Sequence, residues 1–109
     1  MTDYSNFSSL DIRVGTIIDV LDFPKAKKKA YRLKIDFGEN IGCKNSSAQI
    51  TELYSKDQLI GKQILAVINF PARQIANFIS EVLVLGIYTQ NGVALIVPDQ
   101  VAKNGDKLG

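Results

Sequence analysis

The sequence predicts an all-β domain with one short helix, in which five strands form a Greek-key barrel and an additional strand follows near the C-terminus. Three observations predict this class. Short runs rich in Val, Ile and Leu recur along the chain, turn residues separate them, and only one segment has apolar residues at helical spacing. With 109 residues, 46% of them apolar, we expect a single domain over residues 1–109, with an N-terminal arm at 1–9 and a C-terminal tail at 98–109.

The first strand is predicted from Asp11 to Val20, where apolar and polar residues alternate. Gly15 in its interior is expected to mark a bend, as barrel strands require. Pro24 ends the strand region because proline has no amide hydrogen to donate. The face expected to be buried carries every second residue: Ile12, Val14, Thr16, Ile18 and Val20.

Two further strands are predicted to complete a meander with the first. The second, Leu33 to Phe37, alternates apolar residues with charged ones, and the third runs from Ile41 to Ala48 after the turn residues 38–40. The single cysteine, Cys43, lies in this third strand. We interpret it as a small buried hydrophobic residue.

The segment from Gln49 to Gly61 is predicted to contain the short helix. Its apolar residues Ile50, Leu53 and Tyr54 recur at three- and four-residue spacing, and Thr51 is the expected N-cap. A helix between the third and fourth strands is typical of the oligonucleotide-binding (OB) fold, a partly open Greek-key barrel of five strands. The sequence therefore predicts an OB-fold barrel.

Strands four and five are predicted at Gln63–Asn69 and Glu81–Tyr88, and the turn at residues 90–92 leads to the additional strand Val93–Val97. The connection between strands four and five is polar but keeps three apolar residues that a solvated loop would not need. We therefore expect a structured connection that closes one end of the barrel or lines a groove.

Catalytic chemistry is not supported by the residues present. The chain has no histidine, which excludes zinc sites and Ser/His or Cys/His catalysis, and a lone thiol has no neighbour to activate it. No carboxylates are spaced as a pair, and neither a Gly-rich phosphate fingerprint nor a nucleophile elbow occurs. We expect no catalytic residues, metal or cofactor, and keep a small enzyme of unrecognised type as a third hypothesis.

Charge is concentrated in one stretch although the formal net charge is only +2. A field of one sign can steer a polyanion even when total charge is small, so this stretch favours a nucleic-acid surface. The alternative is a solvated loop that keeps a strand edge from pairing. Six cations occupy ten positions without an acid among them: Lys25, Lys27, Lys28, Lys29, Arg32 and Lys34.

A second candidate surface is apolar and would hold side chains of unfolded polypeptides. The connection between strands four and five is too short to bury its apolar residues beneath its own backbone, and exposed patches of this kind mark partner sites. The alternative is that these residues pack into the barrel end or a homodimer seam. The residues are Phe70, Ile75, Phe78 and Ile79.

The N-terminal residues lack the basic and apolar regions of a secretory signal, and no run of about 18 apolar residues is present to cross a bilayer. We therefore expect a soluble, cytoplasmic protein without membrane insertion. The first nine residues are interpreted as an arm or short helix that packs on a neighbouring subunit.

Several motifs in order resemble one family. The segments DIRVGTI, FPKAKKKAYRLKIDFG, NSSAQIT, SEVLVLG and VPDQVAKNGDKLG resemble the tRNA-binding-domain family, and most closely its CsaA-type secretion chaperones. The resemblance implies a homodimer that binds tRNA and acts as a molecular chaperone for unfolded or presecretory polypeptides. The alternative it leaves open is a tRNA-binding factor that assists an aminoacyl-tRNA synthetase.

The resemblance also assigns residues to the RNA site. Asn69, Arg73 and Ser80 match signature positions; for Asn69 and Ser80 the alternative role is to satisfy backbone groups at strand ends. Two departures occur: Val82-Leu83 replaces Gly-Met, and Asn77 replaces a glycine, where asparagine is expected to tolerate the left-handed backbone. The RNA-binding residues expected are Lys25, Lys27, Lys28, Arg32, Lys34, Asn69, Arg73 and Ser80.

Overall fold

The computed structural model describes all 109 residues and contains two short helices and nine strands. The expected OB-fold barrel is confirmed in its strand order and antiparallel pairing. No helix is long and apolar enough to cross a membrane. The elements are α1 (Tyr4–Ser8), β1 (Ile12–Asp22), β2 (Tyr31–Asp36), β3 (Cys43–Ala48), α2 (Lys56–Leu59), β4 (Gln63–Val67), β5 (Arg73–Ile75), β6 (Phe78–Ser80), β7 (Leu83–Val84), β8 (Gly86–Thr89) and β9 (Gly92–Leu95).

The barrel is built on β1, which changes partner along its length. Its first half, from Ile12 to Thr16, pairs with β4, and its second half, from Thr16 to Asp22, pairs with β2. The full order is β3-β2-β1-β4-β7. Gly15 lies where the partner changes, and a Cβ there would lie 2.6 Å from Ile35 and 2.7 Å from Phe37. Glycine is needed at this position because two core side chains approach the backbone of β1.

The barrel interior is filled by aliphatic side chains and one phenylalanine from β1, β2, β4 and α2. A smaller cluster on the other side of β1 and β4 is covered by residues that include Leu85, Ile96 and Ala102. Burying these apolar surfaces supplies the main favourable term of folding. The largest apolar side chains with essentially no exposure are Ile17, Leu33, Ile35, Phe37, Leu59 and Ile64.

The predicted burial along β1 is confirmed at Ile12, Val14 and Val20, whereas Thr16 is only half-buried and Ile18 is exposed. Ile17 is fully buried, whereas Ile18 is 44% exposed. The pairing register with β2 shifts between Ile17 and Asp19, which marks a β-bulge. An extra residue in one strand reverses which residues point inward, so the prediction that Ile18 is buried is wrong.

The predicted helix lies in the expected segment but is much shorter. Helix α2 has four residues, and its N-cap is Ser55, whose hydroxyl accepts a hydrogen bond from the Gln58 amide while the Gln58 side chain accepts one from the Ser55 amide. This capping box fixes the helix start. The prediction of Thr51 as the cap is wrong, because residues 51–53 form turns.

The predicted fifth strand is interrupted. Strand β7 pairs with β4, whereas β8 pairs with β9 in a separate two-stranded sheet, so the chain leaves the barrel at Leu85. The additional C-terminal strand is confirmed as β9, and the turn before it forms the expected hairpin.

The C-terminal tail returns to the barrel of its own chain. The amide of Val14 donates to the Asp106 carbonyl, and the amides of Gly105 and Leu108 donate to the carbonyls of Val14 and Ile12. These bonds occupy the edge of β1 that β2 leaves free. The tail therefore packs on the barrel of its own chain.

Cys43 is exposed, so its interpretation as a buried hydrophobic residue is wrong. It opens β3 directly opposite Asp36 of β2. Directly opposite residues share one face of a sheet, and Ile35 and Phe37, the residues on either side of Asp36, take the inward positions. Cys43 therefore lies on the outer face.

Strands β5 and β6 form a hairpin whose two-residue turn is Ala76-Asn77. The left-handed residue is Ala76, with φ 52°, and Asn77 does not have positive φ. The expectation for Asn77 is therefore wrong. Because left-handed backbone costs a residue with a Cβ about 1 kcal/mol, we expect Ala76→Gly to raise the melting temperature by roughly 4 °C. Ala72→Gly, where φ is not positive, is the control and is expected to lower it.

Candidate nucleic-acid interface

The loop of residues 24–30, called the basic loop, joins β1 to β2 and exposes four lysine side chains. The structure contains three ion pairs, and none involves a lysine of this loop. Arg32, Lys34 and Arg73 are also absent from those pairs. Seven cations therefore keep their charge uncompensated by a contacting carboxylate. The loop lysines are Lys25, Lys27, Lys28 and Lys29.

The acid closest in sequence to the basic loop forms an ion pair with a lysine of helix α2. Asp22, at the end of β1, accepts a hydrogen bond from the Lys56 ammonium at 2.9 Å. This hydrogen bond, with the attraction of the Asp22 carboxylate, raises the pKa of Lys56. Because Lys56 of α2 pairs with the Asp22 carboxylate, this acid repels an approaching polyanion less strongly.

Arg32 on β2 is held in a defined position. Its Nε donates to the Asp22 carbonyl at 2.9 Å, and its guanidinium carbon lies 5.5 Å from the centre of the Phe23 ring. Phe23 is buried, so the ring forms a fixed support beneath a half-exposed cation. Lys34, two residues along β2, is exposed and lies opposite Asp19 of β1 without forming an ion pair.

The β5–β6 hairpin and the residues after it close the barrel against β3. The Ser47 amide donates to Ser80 Oγ at 3.0 Å, and the Asn45 amide donates to Glu81 Oε1 at 3.0 Å. The Glu81 amide donates to the Asn45 carbonyl at 2.8 Å. The expectation of a structured connection is confirmed. Ser80 satisfies a backbone donor, which is the alternative role that the sequence left open.

Arg32 and Arg73 lie on one continuous surface. Arg32 is directly opposite Ser47 of β3, Ser47 bonds to Ser80, and Ser80 is directly opposite Arg73. The chain of contacts from Arg32 to Arg73 therefore runs across β2, β3 and the β5–β6 hairpin. Lys44 of β3 lies 3.9 Å from the Glu81 carboxylate, so its charge is partly compensated.

The expected apolar patch is divided between two faces of the hairpin. Side chains alternate along a strand, so the directly paired Ile75 and Phe78 share a face with Arg73, and Ile79 lies on the opposite face with Gln74. The Phe78 ring is 5.5 Å from the Phe23 ring at an interplanar angle of 67°.

The exposed part of the apolar set lies outside that stack. Phe70 and Ile79 are 44% and 49% exposed, whereas Ile75 and Phe78 are half-buried. Whether any of these four residues contacts a polypeptide stays a prediction.

The side-chain amide of Asn69 hydrogen-bonds to the N-terminal segment through both its oxygen and its nitrogen. Its Oδ1 accepts from the Asp11 amide at 3.0 Å, and its Nδ2 donates to the Ser9 carbonyl at 2.8 Å. Asn69→Ala is therefore expected to speed hydrogen exchange of the Asp11 amide about fivefold, since a hydrogen bond contributes about 1 kcal/mol. Asn77→Ala is the control. Unchanged exchange at Asp11 in the Asn69 variant would contradict this anchoring role.

Sequence reasoning missed Phe23 as a member of the site. Its ring joins Arg32 on β2 to Phe78 on β6. The available signal was its position immediately before Pro24 and the lysines, but nothing local to that position indicates a contact with the β5–β6 hairpin.

The basic loop, the β2–β3 face and the β5–β6 hairpin adjoin one another. In OB folds, the face of strands two and three and the loops after strands one and four bind oligonucleotides and oligosaccharides. With uncompensated cations and a stacked arginine at these positions, the fold and the site define an oligonucleotide-binding module.

Comparison with known proteins places the chain more narrowly. Residues 12–107 match the model of the family described as "Putative tRNA binding domain". The crystal structure of the CsaA chaperone protein from Picrophilus torridus is 60% identical with a TM-score of 0.97, and the match covers 100% of both chains. The chain belongs to the tRNA-binding-domain family and to its CsaA type, which confirms the resemblance.

Two further relatives span different lengths. The structure of chaperone CsaA from Bacillus anthracis str. Ames is 45% identical with a TM-score of 0.93, covering 100% of this chain and 99% of that one. A methionine–tRNA ligase of Nanoarchaeum equitans is 34% identical over 108 residues, which is 99% of this chain but 14% of the ligase. The chain therefore corresponds to a small part of the curated ligases it matches.

Proposed function

We propose that this protein is a non-catalytic tRNA-binding protein of the cytoplasm that also acts as a molecular chaperone for polypeptides destined for export. The observation that carries the RNA part is the set of seven cations without acid partners around the β2–β3 face. The chaperone part is supported by the CsaA relatives, which are described as chaperones.

The side chains at this surface suit a folded RNA. Lysine ammonium groups on flexible stems make phosphate contacts, and a planar guanidinium can stack on a base as well. Paired RNA has a deep, narrow major groove that side chains cannot read, so recognition rests on shape, backbone and unpaired bases. Transfer RNA offers these features in a compact form. The proposed contacts are Lys25, Lys27, Lys28, Arg32, Lys34 and Arg73, with Asn69 and Ser80 shaping the connection that carries Arg73.

The polypeptide surface is proposed on the β5–β6 hairpin and the residue that leads into it. Phe70 and Ile79 provide exposed apolar area, and Ile75 and Phe78 provide further area on the face that carries Arg73. An unfolded chain exposes apolar side chains, so contact with this surface removes apolar area from water on both partners.

A homodimer is proposed because every residue of α1 is exposed. None of its residues is buried, and its Tyr4 and Phe7 rings, with centroids 6.3 Å apart, lie at the surface. A helix of five residues is marginal alone in water, and a second copy packed on these rings would stabilise it. Sedimentation at micromolar concentration is expected to give twice the monomer mass.

The second candidate is a tRNA-binding factor that assists an aminoacyl-tRNA synthetase. The observation that favours it is the match of almost the whole chain to part of methionine–tRNA ligases. In this case tRNA binds, but an unfolded polypeptide does not.

The deciding experiment titrates one preparation with bulk tRNA and, separately, with reduced carboxymethylated α-lactalbumin as a permanently unfolded polypeptide. We expect both to bind, with tRNA affinity falling steeply as salt rises. Binding of tRNA alone would favour the synthetase factor, and salt-insensitive tRNA binding would contradict the electrostatic mechanism. Binding of neither would overturn both candidates.

A further inference from the structure

We infer that RNA and unfolded polypeptide share one stacking subsite, formed by Phe23, Arg32 and Phe78, so that the two ligands exclude each other. The inference rests on the proposed function, because it concerns where the two proposed ligands sit. The sequence alone predicts two separate candidate surfaces, a cationic one for nucleic acid and an apolar one for polypeptides.

The three side chains form one contiguous cluster around the Phe23 ring. The Arg32 guanidinium lies 5.5 Å from the Phe23 ring centre, and the Phe78 ring lies 5.5 Å from the same ring centre on an edge-to-face geometry. The guanidinium and the Phe78 ring are therefore no more than twice that distance apart. Phe23 is 5% exposed, whereas Arg32 and Phe78 are half-exposed. The outer two members present surface to a ligand, and the middle one fixes their positions.

The chemistry of this stack does not distinguish a base from an aromatic side chain. A guanidinium stacks on either kind of ring through its planar face, and an aromatic ring such as Phe78 packs on either. Since the two outer members are no more than twice 5.5 Å apart, an RNA strand or an extended polypeptide that contacts one of them also extends over the other.

The neighbouring residues of the hairpin extend the same mixture of charge and apolar surface. Arg73 shares a face with Ile75 and Phe78, so a phosphate contact at Arg73 and an apolar contact at Ile75 also lie side by side. An RNA strand that follows Arg32 to Arg73 must cross this face of the hairpin, and a polypeptide bound there blocks that path.

Competition is measured by fluorescence anisotropy of labelled reduced carboxymethylated α-lactalbumin, with an eight-nucleotide oligouridylate as competitor. The short RNA is chosen because its small volume limits exclusion at a distance. If the subsite is shared, the apparent Kd for polypeptide rises about elevenfold when RNA is present at ten times its own Kd. An unchanged Kd while both ligands bind would overturn the shared subsite and leave the proposed function intact. Failure of both ligands to bind separately would overturn the proposed function itself.

Two variants test whether the stack is responsible. Phe78→Ala is expected to weaken both ligands about tenfold, and Ile60→Ala, which truncates an exposed aliphatic side chain at the end of α2, is expected to weaken neither. Arg32→Lys retains the charge and removes the planar group, so both affinities should fall while the salt slope for RNA is kept. Full affinity for either ligand in Arg32→Lys would contradict stacking, and this surface change remains informative if Phe78→Ala unfolds.

Discussion

The triple variant Lys27→Ala, Lys28→Ala, Arg32→Ala is expected to bind tRNA about a hundredfold more weakly at 0.1 M salt. Each phosphate contact releases counterions, so log affinity falls with log salt by about 0.7 to 0.9 per contact. Removal of three cations should therefore lower the slope by roughly two to three. The measurement is a series of tRNA titrations between 50 and 200 mM salt, with far-UV circular dichroism to show that the barrel is folded.

A matched control for this prediction lies at the other end of the barrel. Lys103 is exposed in the C-terminal tail, which bonds to β1 near Val14. At about 3.3 Å per residue along β1, this position is roughly 25 Å from the basic loop. Lys103→Ala should leave the salt slope unchanged, whereas Lys27→Ala alone should lower it by nearly one. Equal effects of the two substitutions would mean that net charge, not the basic loop, determines RNA binding.

Gly15→Ala is expected to destabilise the protein strongly. The added Cβ would meet Ile35 and Phe37 at less than 3.0 Å, and both side chains are fully buried. Overpacking of this kind costs about 3 kcal/mol, which corresponds to a fall in melting temperature on the order of 10 °C. Differential scanning calorimetry of the two proteins measures this directly.

A compensating substitution separates overpacking from loss of backbone freedom. Phe37→Leu removes the ring atoms that the new methyl meets, so the double variant Gly15→Ala, Phe37→Leu should recover part of the loss relative to the sum of the single variants. If the stability losses of the two single variants simply add in the double variant, the contact with the Phe37 ring is not the reason that position 15 requires glycine.

Much of the barrel was predictable because its strands alternate locally. The second strand places Leu33, Ile35 and Phe37 inward, as expected, and the lysines between β1 and β2 are exposed as a loop. The position of the helix was also predictable, but its start was not. The spacing of Ile50, Leu53 and Tyr54 is produced by consecutive turns, and the true signal was the capping box of Ser55 and Gln58.

The remaining differences arise from pairing between distant segments. The bulge that exposes Ile18 depends on the register with β2, which periodicity within β1 does not contain. The pairing of β5 with β6 likewise decides that Ile75 and Phe78 lie on one face of the hairpin and Ile79 on the other. The contact between Phe23 and Phe78 joins residues that are far apart in the sequence, and no local spacing of residues predicts it.

The return of the C-terminal tail to β1 has a consequence for how the molecule resists self-assembly. The last residues cap a strand edge whose Val14 amide and Ile12 carbonyl would otherwise be open to another chain. A protein shortened before residue 104 would display that edge and join barrels side by side into aggregates. The tail thus prevents this edge of β1 from pairing with another chain. A tag added after Gly109 leaves these bonds in place, whereas a truncation before residue 104 removes them.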